Sequence, residues 1–380
     1  MRHAVLCLTL LGALAAAFPP SARAEQQPAA YWNDLARYLA GMPVDAGGPF
    51  HKLTLTDQYR EHRTKMDGYW ERVEKENVAH IIPWRNAHIQ PVFNRGTVFY
   101  PLCGGDFVNM YTFYPEATRY IMVSAEPAGK IPEPLRLTDS QAASGLRSIR
   151  GCIWSIASVN YFVTKAMRYE MKNPYLGVTL PVYLVFAARL NLKVTGIQPV
   201  GLGKDGTIAA LDARGTIAGE RPVVEGNRIT FTAPGSRTQR EIIYLGMRLA
   251  GNSADPNTPQ GKFLNSLSGL NVLIKSAIYL FHREPFRDLA AFILGRTNVL
   301  IQDDSGIPYR YMDRNAFAIS FYGSFDTPVR LVEIPQPPGQ PDLAKEFKEK
   351  SQPLPFRFGY GVLRRDKTSN LLLAVRKRAR

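Results

Sequence analysis

The residues best suited to chemistry fall in two short loops and at one strand end. Asp303-Asp304-Ser305-Gly306 sets two adjacent carboxylates just past the apolar run Asn298-Val299-Leu300-Ile301-Gln302. Adjacent acids can bind a hydrated cation or a cationic substrate, or one of them can serve as a general base. Neighbours on extended backbone point to opposite sides, so one of the pair is expected to face a given site. The same residues also suit an Asx-type turn, in which the carboxylates cap nearby backbone N–H groups. His282, Arg310 and Tyr311 are expected neighbours of this loop. The second loop, Cys103-Gly104-Gly105-Asp106, follows the β-prone run Thr97-Val98-Phe99-Tyr100. Its glycines permit a tight turn and a close approach of backbone to a ligand. Glu126 closes another β-prone run, Arg119 to Ser124, twenty residues after Asp106.

The familiar catalytic signatures do not occur. There is no H-E-x-x-H, C-x-x-C, G-x-S-x-G, P-loop or EF-hand. The six His form no metal-spaced pair on one helix, so no metal ligands and no catalytic residues are assigned. The ligand-binding candidates are Cys103, Gly104, Gly105, Asp106, Glu126, Asp303, Asp304 and Ser305.

The elements around these loops read as α/β. Strand, glycine turn, short helix Phe107 to Tyr114 and second strand form a parallel βαβ unit. This resembles the opening of a Rossmann-like fold. The resemblance implies that Gly104 and Gly105 approach a ligand and that Glu126 stands where such folds hold a ribose. The full glycine fingerprint is not present, and no cofactor is implied. Residues 25–95 are expected to form a helical N-terminal arm, with helices near Tyr31–Ala40 and Asp57–Asn77 and coil from Ile81 to Asn94. Residues 96–380 form a single α/β domain. Lys130 to Gly145 reads as a polar loop, and Leu146 to about Met171 as a long helix. The section 193–248 carries short β-prone runs split by Lys204-Asp205-Gly206 and Glu225-Gly226-Asn227, which are hairpin signals. Helical pattern is expected at Gly261–Phe281 and Pro285–Gly295. Phe356–Val362 and Leu371–Val375 read as a last strand pair.

Composition sets where the chain works. Met1-Arg2-His3 precedes Ala4 to Phe18, fifteen residues without a charge, then Pro19-Pro20 and the small-x-small site Ala22-Arg23-Ala24. This is a secretory signal, with cleavage expected after Ala24 and a periplasmic or secreted mature chain. Export lowers the weight of ATP, NAD and S-adenosylmethionine as ligands. The net charge is +15, from 47 basic and 32 acidic residues, and Arg364 to Arg380 carries +6 of it. Arg376-Lys377-Arg378-Ala379-Arg380 suits peripheral contact with anionic lipid or an envelope polyanion. Nucleic acid is disfavoured as a partner because the chain is expected to leave the cytoplasm. Cys103 and Cys152 remain after cleavage, and the sequence leaves open whether they pair.

Phe99 to Asp106 with Tyr111 to Pro115, Val299 to Tyr309, and Ser369 to Lys377 together resemble a family of exported bacterial proteins of similar length. The resemblance implies export and one integrated α/β architecture, and it carries no activity. Three readings follow: a protein binding a ligand or envelope component in a crevice at the strand ends, a cofactor-free hydrolase or transferase using Asp303 or Asp304, and a structural envelope-associated protein. The enzyme reading expects Asp303, Asp304 and Glu126 to meet in one cleft.

Overall fold

A computed structural model describes residues 27–162, 173–176, 179–330, 337–361 and 369–377. The segment read above as an export signal and residues 378–380 of the basic cluster lie outside them. Ten strands form one mixed sheet: β1 Thr97–Pro101, β2 Arg119–Ser124, β3 Lys193–Leu202, β4 Ile208–Ala210, β5 Val224–Thr232, β6 Gln239–Gly246, β7 Leu270–Ile274, β8 Thr297–Gln302, β9 Phe317–Gly323 and β10 Asn370–Arg376. Their order is β4-β3-β5-β6-β2-β1-β7-β8-β10-β9. The inner five, β6, β2, β1, β7 and β8, are parallel. Antiparallel β5, β3 and β4 extend one edge, and β10 runs antiparallel between β8 and β9 at the other.

The parallel core is Rossmann-like. From β1 the chain steps to β2, crosses to β3, β4 and β5 at the far edge, comes back to β6 beside β2, and then passes to β7 and β8 on the other side of β1. The order therefore reverses between β1 and β7, and a crevice opens there at the strands' carboxyl ends.

Side-chain alternation along these strands builds two apolar layers. Val98, Tyr100, Tyr120 and Met122 face one way, toward helices Ala29–Leu39, Ala79–His88, Phe107–Phe113, Asp139–Val159 and Thr179–Arg189. Phe99, Ile121 and Val123 face the other way, toward helices Pro259–Ser266, Arg287–Arg296 and Pro341–Lys350. Strands buried on both faces read as continuous apolar runs, and β7 is buried at every position. Among the described residues no helix is long and apolar enough to cross a membrane.

Several elements differ from the sequence reading. The helix expected over Gly261–Phe281 stops at Ser266, and Leu270-Asn271-Val272-Leu273-Ile274 is a central strand. A five-residue run with four apolar side chains has too few positions to separate a buried strand from a buried helix. The stretch expected as coil forms helix Ala79–His88 despite Pro83. Burial of Ile81 and Trp84 outweighs the proline signal: the Trp84 ring meets Tyr322 edge-on at 4.9 Å and Phe356 at 5.5 Å. Asp57–Val73 runs through a π-helical turn, Glu74–Val78, into that helix. The loop expected at Lys130–Gly145 becomes helix from Asp139, where Thr138 and Gln141 form a capping box. Residues 356–361 are not a strand, and Val362 lies outside the described residues. Leu371–Val375 does lie in a strand, β10, paired with β8 and β9.

The start of the C-terminal basic cluster is tied into the sheet. Arg376 donates from Nε to Thr297 O at 2.7 Å and from Nη2 to Leu294 O, and its guanidinium lies 4.7 Å from the Phe317 ring centroid. Lys377 Nζ donates to Arg314 O at 2.9 Å.

Candidate functional site

A cavity of about 200 Å³ lies at the carboxyl ends of β1, β2 and β7, at the reversal of strand order. Its wall includes Cys103, Asp106, Glu126, Phe162, Lys275 and Ser276. Four of the expected candidates, Cys103, Gly104, Asp106 and Glu126, thus line one space. Gly105 packs beside it against Val182 and Phe162. The turn needs glycine at Gly104, whose φ is +54°, and the Phe162 ring lies across it.

The charged centre is an ion pair that the sequence reading missed. Lys275 Nζ stands 2.7 Å from Asp106 Oδ2, and both side chains are at most 3% exposed. Lys275 directly follows β7 and was obscured by the helical reading of that run. Asp106 is held on several sides. Tyr100 OH donates to Oδ2 at 3.1 Å, and Asn109 Nδ2 donates to Oδ1 at 2.8 Å. The Asn109 backbone N–H donates to the same Oδ1 at 3.3 Å, so Asp106 caps helix Phe107–Phe113. Lys275 Nζ also donates to Asn160 O. Asn160 is a hub: its Oδ1 accepts from Asn109 at 3.0 Å, and its Nδ2 donates to Arg357 O at 2.7 Å. Burial pushes the Lys275 amine below its ordinary value, against the opposing pull of Asp106. Burial raises the Cys103 thiol well above its ordinary value, which suits a packing role.

This geometry disfavours an anionic ligand. Rossmann-like sites seat a pyrophosphate on the first N–H groups of the helix after β1. Here Asp106 already takes the Asn109 N–H, and its ion pair with Lys275 leaves no net positive charge to hold an anion. Glu126 adds a second carboxylate and, among the described residues, meets no cation within ion-pair distance.

Backbone strain concentrates around the cavity. Among the described residues seven non-glycine residues have positive φ, and three of them, Leu102 (58°), Ser276 (53°) and Ile278 (45°), line the cavity. Asn160 (60°), which accepts from Lys275, and Tyr279 (52°) adjoin it. Left-handed backbone costs about 1–3 kcal/mol per non-glycine residue, most for a β-branched side chain, and it collects at ligand sites and switches.

The second acidic loop holds that strained backbone in place. Asp303 Oδ2 accepts from Ser276 N at 3.1 Å, and Ser305 Oγ accepts from Ala277 N at 2.8 Å. Ser305 Oγ in turn donates to Asp303 Oδ1 at 2.7 Å. Tyr360 OH donates to Ser276 O at 2.7 Å and accepts from Ile278 N at 3.1 Å. Asp304 is turned the other way: it accepts from Tyr279 OH at 2.6 Å and from Asn370 Nδ2 at 2.8 Å. Asp303 and Asp304 are 1% and 4% exposed, and neither is on the cavity wall. Asp303, Asp304 and Ser305 therefore do not converge with Glu126 in one cleft. They brace the loop that forms the cavity's floor. Burial, reinforced by the neighbouring Asp304, raises the Asp303 carboxyl above the ordinary range.

Of the expected neighbours, His282 packs edge-on to the Tyr279 ring at 5.4 Å, while Arg310 and Tyr311 are exposed. Cys103 is a free thiol. Among the described residues no group of three His, Cys, Asp or Glu side chains could hold a metal ion. Sequence reasoning also missed Asn160, Ser276 and Tyr360, none of which carries a motif. No protein-family model, curated protein or solved structure matches this chain.

Proposed function

We propose that this is an exported binding protein whose crevice between β1 and β7 holds a small, polar ligand without phosphate or carboxylate groups. The observation that carries the reading is the gathering of strained backbone at Leu102, Ser276 and Ile278 around one cavity. The strain at Ser276 and Ile278 is maintained by a dedicated brace from Asp303, Ser305 and Tyr360, an arrangement that suits a preorganised site. The cavity is below the usual range for drug-sized ligands, so the occupant is a molecule of few heavy atoms. Its charge preference follows from Glu126 and from the capped helix. Export rests on the N-terminal signal pattern.

A thermal-shift panel tests this. Glycerol, erythritol and ethanolamine represent neutral and cationic ligands, and phosphate and lactate represent anions. A ligand at one hundred times its Kd stabilises by about 2.7 kcal/mol. Neutral or cationic members are expected to raise Tm in the natural chain and to lose that effect in Glu126→Gln. Stabilisation by phosphate or lactate alone overturns the reading.

A further inference from the structure

Resting on that crevice, we propose that Lys275 is a covalent amine that captures a small, uncharged aldehyde or ketone as an imine. Lys275 is on the cavity wall at the reversal point of the sheet, buried and in direct contact with the Asp106 carboxylate. A buried ion pair is a poor device for stability, because apolar residues of like volume serve as well or better. A buried lysine does have a distinctive chemistry: its amine loses its proton readily and becomes a nucleophile toward carbonyl carbon. Arginine at this place would form the ion pair without that property.

The surroundings supply what the step needs. Asp106 Oδ2 contacts Lys275 Nζ at 2.7 Å and Tyr100 OH at 3.1 Å, so one oxygen can take and return a proton. Asn109 fixes the other oxygen at 2.8 Å. The Ser276 hydroxyl, also on the wall, is buried without a hydrogen-bond partner and is available to the ligand's oxygen. The remaining charges toward Lys275 come from Asp303, behind the wall, and from the Asn160 carbonyl.

The step balances without any further reactant. Lys275 ammonium passes a proton to Asp106. The amine lone pair forms the C–N bond as the carbonyl π bond opens, and the nitrogen's proton moves to that oxygen, giving a carbinolamine. Asp106 then protonates the hydroxyl, the C–O bond breaks, and water leaves. The product is a protonated imine whose positive charge stands against the Asp106 carboxylate, as the ammonium did. Nothing is oxidised or reduced.

The test uses the mature chain with glycolaldehyde and cyanoborohydride, followed by peptide mapping. Glycolaldehyde modifies any reachable neutral amine, so the pattern of sites is the readout. Lys275 is expected to gain one reduced adduct at least tenfold faster than exposed Lys193 and Lys348. Asp106→Asn is expected to slow that labelling at least tenfold and leave the surface lysines unchanged. The natural chain alone decides the matter if that variant does not fold. If Lys275 stays unmodified while the thermal-shift panel finds an occupant, the imine is overturned and the crevice stands. If Lys275 stays unmodified and no panel member binds, both are overturned.

Discussion

Asp106 after β1 and Asp303-Asp304 after β8 stand at the same edge of the sheet, with only β7 between them. Both are buried, and both are caught in hydrogen bonds. They differ in what lies in front of them. Asp106 and its partner Lys275 form part of a cavity wall. Asp303 and Asp304 are closed over by the segment carrying Gly359 and Tyr360, and by Asn370 and Gln340. A strand end in an α/β sheet is thus a place where a site can be built, and the covering segments decide which end becomes one. The second loop contributes to the first indirectly, since Asp303, Ser305 and Tyr360 grip the three backbone N–H groups of Ser276, Ala277 and Ile278.

The largest expected effect breaks the first region. Lys275→Met leaves the Asp106 charge buried without a cation, and should cost about 3–5 kcal/mol in urea unfolding. A Lys275→Met, Asp106→Leu double variant should recover most of that loss. If the single variant costs under about 1 kcal/mol, the pair is not the buried centre described.

A smaller effect is expected in the brace. Gly359 has φ +64°, and a Cβ there would run into the Asp303 carboxylate. Gly359→Ala should cost at least about 1–2 kcal/mol from backbone alone. It should also loosen the loop at Ser276, seen as faster amide exchange at Ala277 and Ile278. Unchanged exchange at those amides would separate the two regions that the account joins.

The acidic loop also carries a pH dependence. Burial, with the neighbouring Asp304, pushes the folded Asp303 carboxyl up to about 7, whereas an unfolded Asp titrates near 4. Between these values the folded state binds more protons than the unfolded state, so this group's contribution to stability falls as pH rises. Asp303→Asn removes that dependence. The Tm of the natural chain relative to Asp303→Asn should therefore decline steadily from pH 5 to pH 8. A flat or rising difference contradicts the burial assigned to this carboxyl.

Much of the first region was legible in the residues. Thr97–Tyr100, the Gly104-Gly105 turn and Arg119–Ser124 carry β-branched and aromatic runs around a glycine break, and they fold as that pattern predicts. Asp106 and Glu126 followed from it. Lys275 did not, because a five-residue run of four apolar side chains and Asn271, with no clear period, could not identify β7. The roles of Asp303 and Asp304 were illegible for another reason. Whether a carboxylate faces a ligand or a brace depends on Tyr279, Tyr360 and Asn370, which arrive from distant parts of the chain.

The central claim is that the β1–β7 crevice, and not the acidic loop after β8, takes a ligand. Native mass spectrometry of the protein isolated from the cells that make it tests this directly, with Glu126→Gln and Asp303→Asn variants alongside. The account predicts a retained small molecule in the natural chain and in Asp303→Asn, and its loss in Glu126→Gln. A molecule retained by Glu126→Gln and lost from Asp303→Asn would contradict it.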